Sequence, residues 1–269
     1  MKYTVLTLFP EIIDAYFTSS IMAKAVSRGI IEYSLVNIRD FSQDKHKTCD
    51  DAPYGGGPGM LMLAEPLARA LEANGAKKKA NNTAGSNAQK AGSPGQENDL
   101  PHVVYLSPSG KPFNQELAKT LTKEKNLLLI CGRYEGIDQR IIDLYVDQEI
   151  SVGDYVLSSG EIAALTLIDA TYRLLEQVIT PQSLEDESFS KGLLEYPQYT
   201  RPEIFDTLKA PEILLSGHHE NIRRWRLEKQ VEKTMSLRPD LIQQGLEKGL
   251  FDAETLKIIG VMYERDKGN

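Results

Sequence analysis

The sequence predicts an α/β protein built on a parallel sheet, followed by a small all-helical second domain. Three observations carry that prediction. Short apolar runs alternate with stretches of helical period over residues 1–178, the pattern of repeated strand–helix units. One of these runs, NLLLICG (126–132), is apolar at every position from Leu127 to Cys131, as a strand buried on both faces of a parallel sheet requires. Beyond Val178 the alternation stops, and from Pro211 onward the chain carries helical patterns alone.

The elements follow in order. KYTVLTLFP reads as a strand. EIIDAYFTSSIMAKAVSRG reads as one helix, with Ile13, Phe17, Ile21 and Ala25 at helical spacing and Gly29 ending it. IEYSLVNI is a strand, FSQDKHKTCDDAPYGGGPGM a polar glycine-rich loop, and LAEPLARALEA a helix. Residues 74–100 hold almost no large apolar side chains and read as a mobile surface insertion. VVYLS is a strand running into SPSGKPF, NQELAKTLTKE a helix, NLLLICG the central strand, GIDQRIIDLYV a helix, and DQEISV a short strand. SVGDYVLSSGE then leads into the apolar helix IAALTLIDATYRLL, and Ser158 and Glu161 have the spacing of a capping box for it. Residues 179–200 are polar, then proline-bearing, and read as a flexible interdomain linker. Residues 201–269 form the second domain, whose helices are HHENIRRWRLEKQVEKTMSL, PDLIQQGLEKGL and DAETLKIIGVMYERD.

Composition narrows the function. The chain has 269 residues, 41% hydrophobic and 26% charged, ordinary for a soluble globular protein, and no apolar run long enough to cross a bilayer. The start, MKYTVLTLFPEII, lacks a signal-peptide cleavage pattern, and the two cysteines, Cys49 and Cys131, are far apart, so a reducing cytoplasm is expected. The four histidines form no HExxH or HxxxH pair, which argues against catalytic zinc. The net charge of −7 argues against a nonspecific nucleic-acid coat, though not against a local basic surface such as Arg223, Arg224 and Arg226 around Trp225.

Ligands of parallel sheets bind beyond the carboxyl ends of the strands. Three loops fall there: YLSPSG (105–110), CGRYEG (131–136) and SVGDYVLSSG (151–160). All are rich in Gly, Ser or Pro and can offer backbone N–H and C=O groups to a polar ligand. No GxxxxGK[ST] occurs, and YGGGPG is not a GxGxxG after a strand, so P-loop and Rossmann sites are disfavoured. These loops also lack clustered Lys or Arg, so a ligand with an adenine-like ring and little net charge fits better than a polyphosphate.

DDAPYGGGPGM, YLSPSG, CGRYEGID, SVGDYVLSSGE, LIDATYR and GLLEYPQYTRP occur in that order. Together they resemble the bacterial tRNA (guanine-N1)-methyltransferases of the knotted SPOUT superfamily, which modify guanosine 37 beside the anticodon. The resemblance runs from the first strand to the last helices and omits residues 74–100. It implies a deep trefoil knot between about Val103 and Leu175, with S-adenosylmethionine (AdoMet) held by the three loops. By resemblance Tyr105, Leu106, Ser107 and Pro108 line one side, and Gly132, Tyr134 and Glu135 the second. Ser151, Val152, Gly153, Tyr155, Leu157 and Gly160 complete the donor pocket. The family implies a homodimer with active sites at the interface, and Mg²⁺ dependence without a ligand set in this sequence. Two departures stand out. Ser159 occupies a position where the family has glycine. The acidic stretch that carries the family's base reads Glu185-Asp186-Glu187-Ser188-Phe189, so the base falls on Glu187 if aligned on Ser188-Phe189 and on Asp186 if aligned by residue type.

The chemistry asks for few groups. Guanine N1 carries a proton, and its loss moves negative charge to O6, so a carboxylate base and a nearby arginine suit the reaction. Asp186 or Glu187 is the expected base and Arg173 the expected arginine. Asp51, Tyr54 and Gly57, in the stretch DDAPYGGGPGM, are expected to pack against the target guanine. Arg223 and Arg224 are expected on the tRNA backbone, the RRWR aromatic adding stacking. Other readings of the same residues are a knotted methyltransferase acting on a ribose 2′-hydroxyl, a noncatalytic RNA-binding module and a nucleotide-binding enzyme.

Overall fold

The computed structural model describes residues 1–79, 100–180, 183–184 and 187–267. The chain divides into two units, Met1–Ile179 and Thr180–Asn269.

The first unit is a parallel sheet covered on both faces. Its strands are β1 (Lys2–Thr7), β2 (Glu32–Asn37), β5 (His102–Pro112), β6 (Asn126–Cys131) and β7 (Gln148–Ser151), in the order β2-β1-β6-β5-β7. Every pairing among them is parallel, as the alternation of strands and helices predicts. The apolar run of β6 explains itself here. Leu127, Leu129 and Cys131 face one core, with α1 (Pro10–Phe17), α2 (Ser20–Ser27), α4 (Gln115–Leu121) and α6 (Gly160–Tyr172). Leu128 and Ile130 face the other, with α3 (Ala64–Ala73) and α5 (Gln139–Tyr145). A short antiparallel pair, β3 (Asp50–Asp51) and β4 (Leu61–Met62), carries the GGGPG loop between its strands.

Several local expectations change. The first predicted helix is two, α1 and α2, broken at Thr18 and Ser19. The Thr18 hydroxyl donates to the Asp14 carbonyl (2.9 Å) and the Ser19 hydroxyl to the Ala15 carbonyl (2.7 Å), which competes with the helical ladder. Ser20 takes a φ of 54°, so the helical phase restarts. Met22 and Ala25 are then buried, and Ile21 is exposed. The capping box of Ser158 and Glu161 does not form. Ser159 is the N-cap of α6, and the Glu161 carboxylate turns inward instead. Ser159 has φ −167°, extended backbone that any residue adopts, so the serine sits where the family has glycine without strain. The expected insertion begins later than residue 74. Ala76 is buried, and the Lys79 N–H donates to the Leu144 carbonyl at 2.8 Å. Residues 80–99 lie outside the described residues.

The second unit contains a hairpin that the sequence pattern does not announce, β8 (Ile204–Phe205) with β9 (Leu208–Lys209). It continues with α7 (Glu212–Leu215), α8 (His219–Leu237), α9 (Pro239–Glu247) and α10 (Ala253–Lys267). Its core joins Val231, Ile242, Ile258 and Ile259 to Leu193, which comes from the stretch expected to be linker. That stretch is tied to α8 by the Leu194 N–H donating to Thr234 Oγ1 (2.9 Å) and by Lys233 Nζ donating to the Glu195 carbonyl (3.0 Å).

Candidate functional site

The three loops after β5, β6 and β7 enclose a cavity of about 380 Å³, within the usual range for small-ligand sites. Each loop reaches it by a local device. In β5, Leu106 and Lys111 both register with Ile150, so Ser107–Gly110 is pushed out of the ladder. Gly110 permits that bulge, because a Cβ there would lie 2.5 Å from the Ile150 nitrogen. The Ser107 and Ser109 hydroxyls hold each other at 2.7 Å across it.

After β6, Tyr134 at φ 58° and Gly136 at φ 123° turn the chain, with the Gly136 N–H donating to the Arg133 carbonyl at 3.0 Å. Gly132 lets the Tyr105 ring lie against the loop, since a Cβ would be 2.9 Å from its Cε2 and hydroxyl. Burial pushes the Tyr105 phenol above its ordinary pKa. After β7, the Ser151 hydroxyl donates to the Gly153 carbonyl (3.0 Å), and the Gly160 N–H donates to the Gly132 carbonyl (2.8 Å), joining the third loop to the second.

All the residues expected around the donor line this one cavity: Tyr105, Leu106, Ser107 and Pro108; Gly132, Tyr134 and Glu135; Ser151, Val152, Gly153, Tyr155, Leu157 and Gly160. Arg133, Gly136, Ser158 and Ser159 also line it, without having been expected there. Arg133 lies inside CGRYEG, so a sequence signal was present. What the sequence lacks is a reason to prefer its side chain over the backbone. The charged lining residues are one of each sign, Arg133 and Glu135, which suits a ligand of little net charge. Cys131, at the end of β6, is not a nucleophile, because burial and then the nearby Glu161 push its thiol well above the ordinary range.

Other expected residues lie elsewhere. The GGGPG loop meets the second cavity loop directly. The Glu135 N–H donates to the Met60 carbonyl (3.0 Å), and a Cβ on Gly59 would collide with Glu135 Cγ. Asp51 and Tyr54 line a neighbouring groove with Asp138 and Arg140, and Gly57 sits in the exposed tip at φ 124°. Arg173 does not line the cavity. It caps the far end of α6, about 20 Å along the helix from Gly160 at 1.5 Å per residue. Glu187 belongs to the second unit, where its carbonyl accepts from the Ser190 N–H (3.2 Å) and hydroxyl (2.7 Å). Asp186 lies outside the described residues.

The arginines of α8 differ among themselves. Arg223 pairs with Glu220 (2.7 Å) and Glu254 (2.8 Å), and Arg224 with Glu228 (3.1 Å). Arg226 pairs with no carboxylate among the described residues. It stacks over the Tyr196 ring at 4.8 Å and lines a cleft of about 540 Å³ that also holds Lys191 and His219. Trp225 is half-buried, its ring 6.4 Å from that of Tyr199. Among the described residues no group of three or more His, Cys, Asp or Glu stands where it could hold a metal ion.

A parallel sheet with a near-neutral cavity beyond three strand ends, lined by glycines and small polar residues, defines an α/β fold with a pocket at the place where such sheets hold small ligands. Comparison with known proteins makes this specific. The family model described as tRNA (Guanine-1)-methyltransferase TrmD matches residues 1–244. Similar proteins include the tRNA (guanine-N(1)-)-methyltransferase of Treponema denticola, 57% identical over 259 residues, covering 96% of this chain and 98% of that one. The enzyme of the same name in Borreliella burgdorferi is 56% identical over 249 residues, 92% of this chain and 95% of that one. The chain belongs to the tRNA (guanine-1)-methyltransferase family.

Proposed function

We propose that this protein transfers a methyl group from AdoMet to N1 of guanosine 37 of tRNA, with the donor held in the cradle of the three loops. One observation carries the placement: every residue expected around the donor lines a single cavity. The glycines support the fit, since side chains at Gly132, Gly153 or Gly160 would fill or distort the space. Bound there, AdoMet supplies an electrophilic methyl on a sulfonium. The protein's part is to hold a loop guanosine with N1 toward it, at low unstacking cost. Glu187 or Asp186 takes the N1 proton, and Arg173 meets the charge that moves to O6. The N1–methyl bond forms as the sulfur–methyl bond breaks, leaving S-adenosylhomocysteine.

The trefoil threading belongs to the same reading, in which the third loop passes close to the end of β6: a Cβ on Gly160 would lie 2.7 Å from Cys131 Cα. The reading extends to a homodimer. Arg173 and the cradle sit at opposite ends of α6, so both serve one reaction if a second copy brings its Arg173 to the site. Exposed apolar residues around the cavity, Tyr155, Val156, Leu157 and Ile162, suit such an interface. No helix among the described residues is long and apolar enough to cross a membrane, and the reading places the protein in the cytoplasm with tRNA. No step is assigned to Mg²⁺.

The test is methyl transfer to tRNA transcripts with and without guanosine 37, followed by nucleoside analysis. N1-methylguanosine appearing only with guanosine 37 is expected. Methyl on a ribose, or equal transfer to both transcripts, would point to a different knotted methyltransferase.

The second unit is proposed to bind tRNA, with Arg226 leading because Arg223 and Arg224 are already ion-paired. Arg226→Ala is expected to weaken tRNA binding. It is also expected to flatten the plot of log affinity against log salt by roughly 0.7–0.9 for each phosphate that is no longer neutralised. Arg223→Ala is expected to do less. An Arg226→Ala protein with the wild-type salt slope would remove this residue from the interface.

A further inference from the structure

We infer that Glu161 is a positioning residue for methyl transfer: its buried carboxylate, held by Thr7, sets the Arg133 guanidinium in the cavity wall, where it meets an oxyanion of the bound reactants. The inference rests on the methyltransferase reading above and adds two groups to it, neither among the residues expected around the donor.

Glu161 stands in the first turn of α6 and is 1% exposed. One carboxylate oxygen, Oε1, accepts a hydrogen bond from Thr7 Oγ1 at 2.5 Å. Thr7 ends β1, is fully buried, and its hydroxyl oxygen accepts in turn from the Phe9 N–H at 2.9 Å. The other oxygen, Oε2, is buried and has no hydrogen-bond partner. The cation facing it is Arg133, whose Nη1 lies 3.9 Å away, within ion-pair reach but beyond a hydrogen bond. Arg133 lies over the Phe9 ring at 4.3 Å, and its backbone is bridged to Ser159, the residue that caps α6. The end of β1 therefore grips both partners, Glu161 through Thr7 and Arg133 through Phe9.

An acid in the first turn of a helix is favourable on the surface, where its charge stays hydrated. Burying it and leaving one oxygen unbonded is costly, so helix capping alone does not account for the arrangement. A fixed charge directing a guanidinium does. Arg133 has five N–H donors in a rigid fork. One edge is drawn to Glu161 and one face lies on Phe9, and Arg133 is a lining residue of the cavity, so its remaining donors are the ones left for a ligand there. Two oxyanions of the reaction share the chemistry that such a group recognises: the carboxylate of the donor's methionine part, and guanine O6 as N1 loses its proton.

The experiment uses the full chain. Glu161→Gln keeps shape and the acceptor for Thr7 and removes the charge. Glu161→Gln, Arg133→Ala and the double variant are compared for AdoMet affinity by calorimetry and for single-turnover methyl transfer on a guanosine 37 transcript, with thermal melting to report folding. Each single change is expected to cost roughly 10–100-fold, with the double variant no worse than Arg133→Ala alone. A loss in affinity assigns the donor carboxylate, and a loss in rate at saturating AdoMet assigns O6. Losses that multiply, or a Glu161→Gln protein with wild-type affinity and rate, overturn the inference. If Glu161→Gln does not fold, Thr7→Val and Thr7→Ser decide. Thr7→Val is expected to show the loss and Thr7→Ser to restore function, and a fully active Thr7→Val protein overturns the inference. An inactive wild type counts against the methyltransferase reading itself, whereas an active wild type beside an indifferent variant counts against Glu161 alone.

Discussion

Asp186→Asn and Glu187→Gln are expected to split cleanly, one slowing methyl transfer by roughly 10²–10⁴ in a single turnover and the other changing little. Each amide keeps the shape of its carboxylate and removes its basicity. The larger loss is expected at Glu187. Its spacing to Ser188-Phe189 matches the family's base, and a glutamate does the acid–base work of an aspartate with one more methylene. The local structure favours a defined position for this residue. The Phe189 N–H donates to the Leu193 carbonyl at 2.8 Å, and Leu193 is buried in the core of the second unit. The cavity proposed to hold the donor is built from loops of the first unit, so AdoMet affinity is expected to survive both changes. Single-turnover kinetics at saturating tRNA checks the rate, and calorimetry checks the donor. If neither amide slows transfer tenfold, the N1 proton leaves by another route.

Gly160→Ala and Gly153→Val are expected to damage the cradle in different ways. At Gly160 the obstacle is backbone: an added Cβ would lie 2.7 Å from Cys131 Cα and 2.8 Å from the Gly132 nitrogen. Those atoms belong to the central strand and the turn that leaves it, and they cannot swing away. Gly160→Ala is therefore expected to cost about 1–3 kcal/mol of stability, as overpacking does, and to move Gly132 out of the donor site. At Gly153 the obstacle is the Tyr155 ring, which the added Cβ would strike; Tyr155 is 56% exposed, and turning outward would cost it only the long hydrogen bond from its hydroxyl to the Val152 carbonyl (3.3 Å). Valine there also meets strain at φ 155°. Its main effect is expected on the ligand, with AdoMet binding abolished in calorimetry while the melting transition stays cooperative. A folded Gly153→Val protein that binds AdoMet normally would remove the donor from this cradle. A Gly160→Ala protein as stable as wild type would show that the two loops are not in tight contact.

The sequence by itself determined the fold class and which three loops line the cavity. Alternating apolar runs specify strands and helices because burial repeats with the local period, and the run of β6 specifies two covered faces. Glycine and serine loops at three strand ends specify a cavity lined by small residues, and six motifs in order specify the family. None of this needs contacts between distant segments. The tertiary structure alone decided the rest. Glu161 has capping-box spacing, yet its partner is Thr7, 154 positions away, because folding puts the start of α6 against the end of β1. Arg223 and Arg226 are equivalent letters in RRWR. Only the packing of α10 on α8 brings Glu254 to Arg223 and leaves Arg226 to Tyr196. Arg173 shares an apolar helix with the cradle, and the rise of that helix puts it at the opposite end. Local pattern fixes what a residue can do, and distant neighbours, which no window of sequence contains, select which of those things it does.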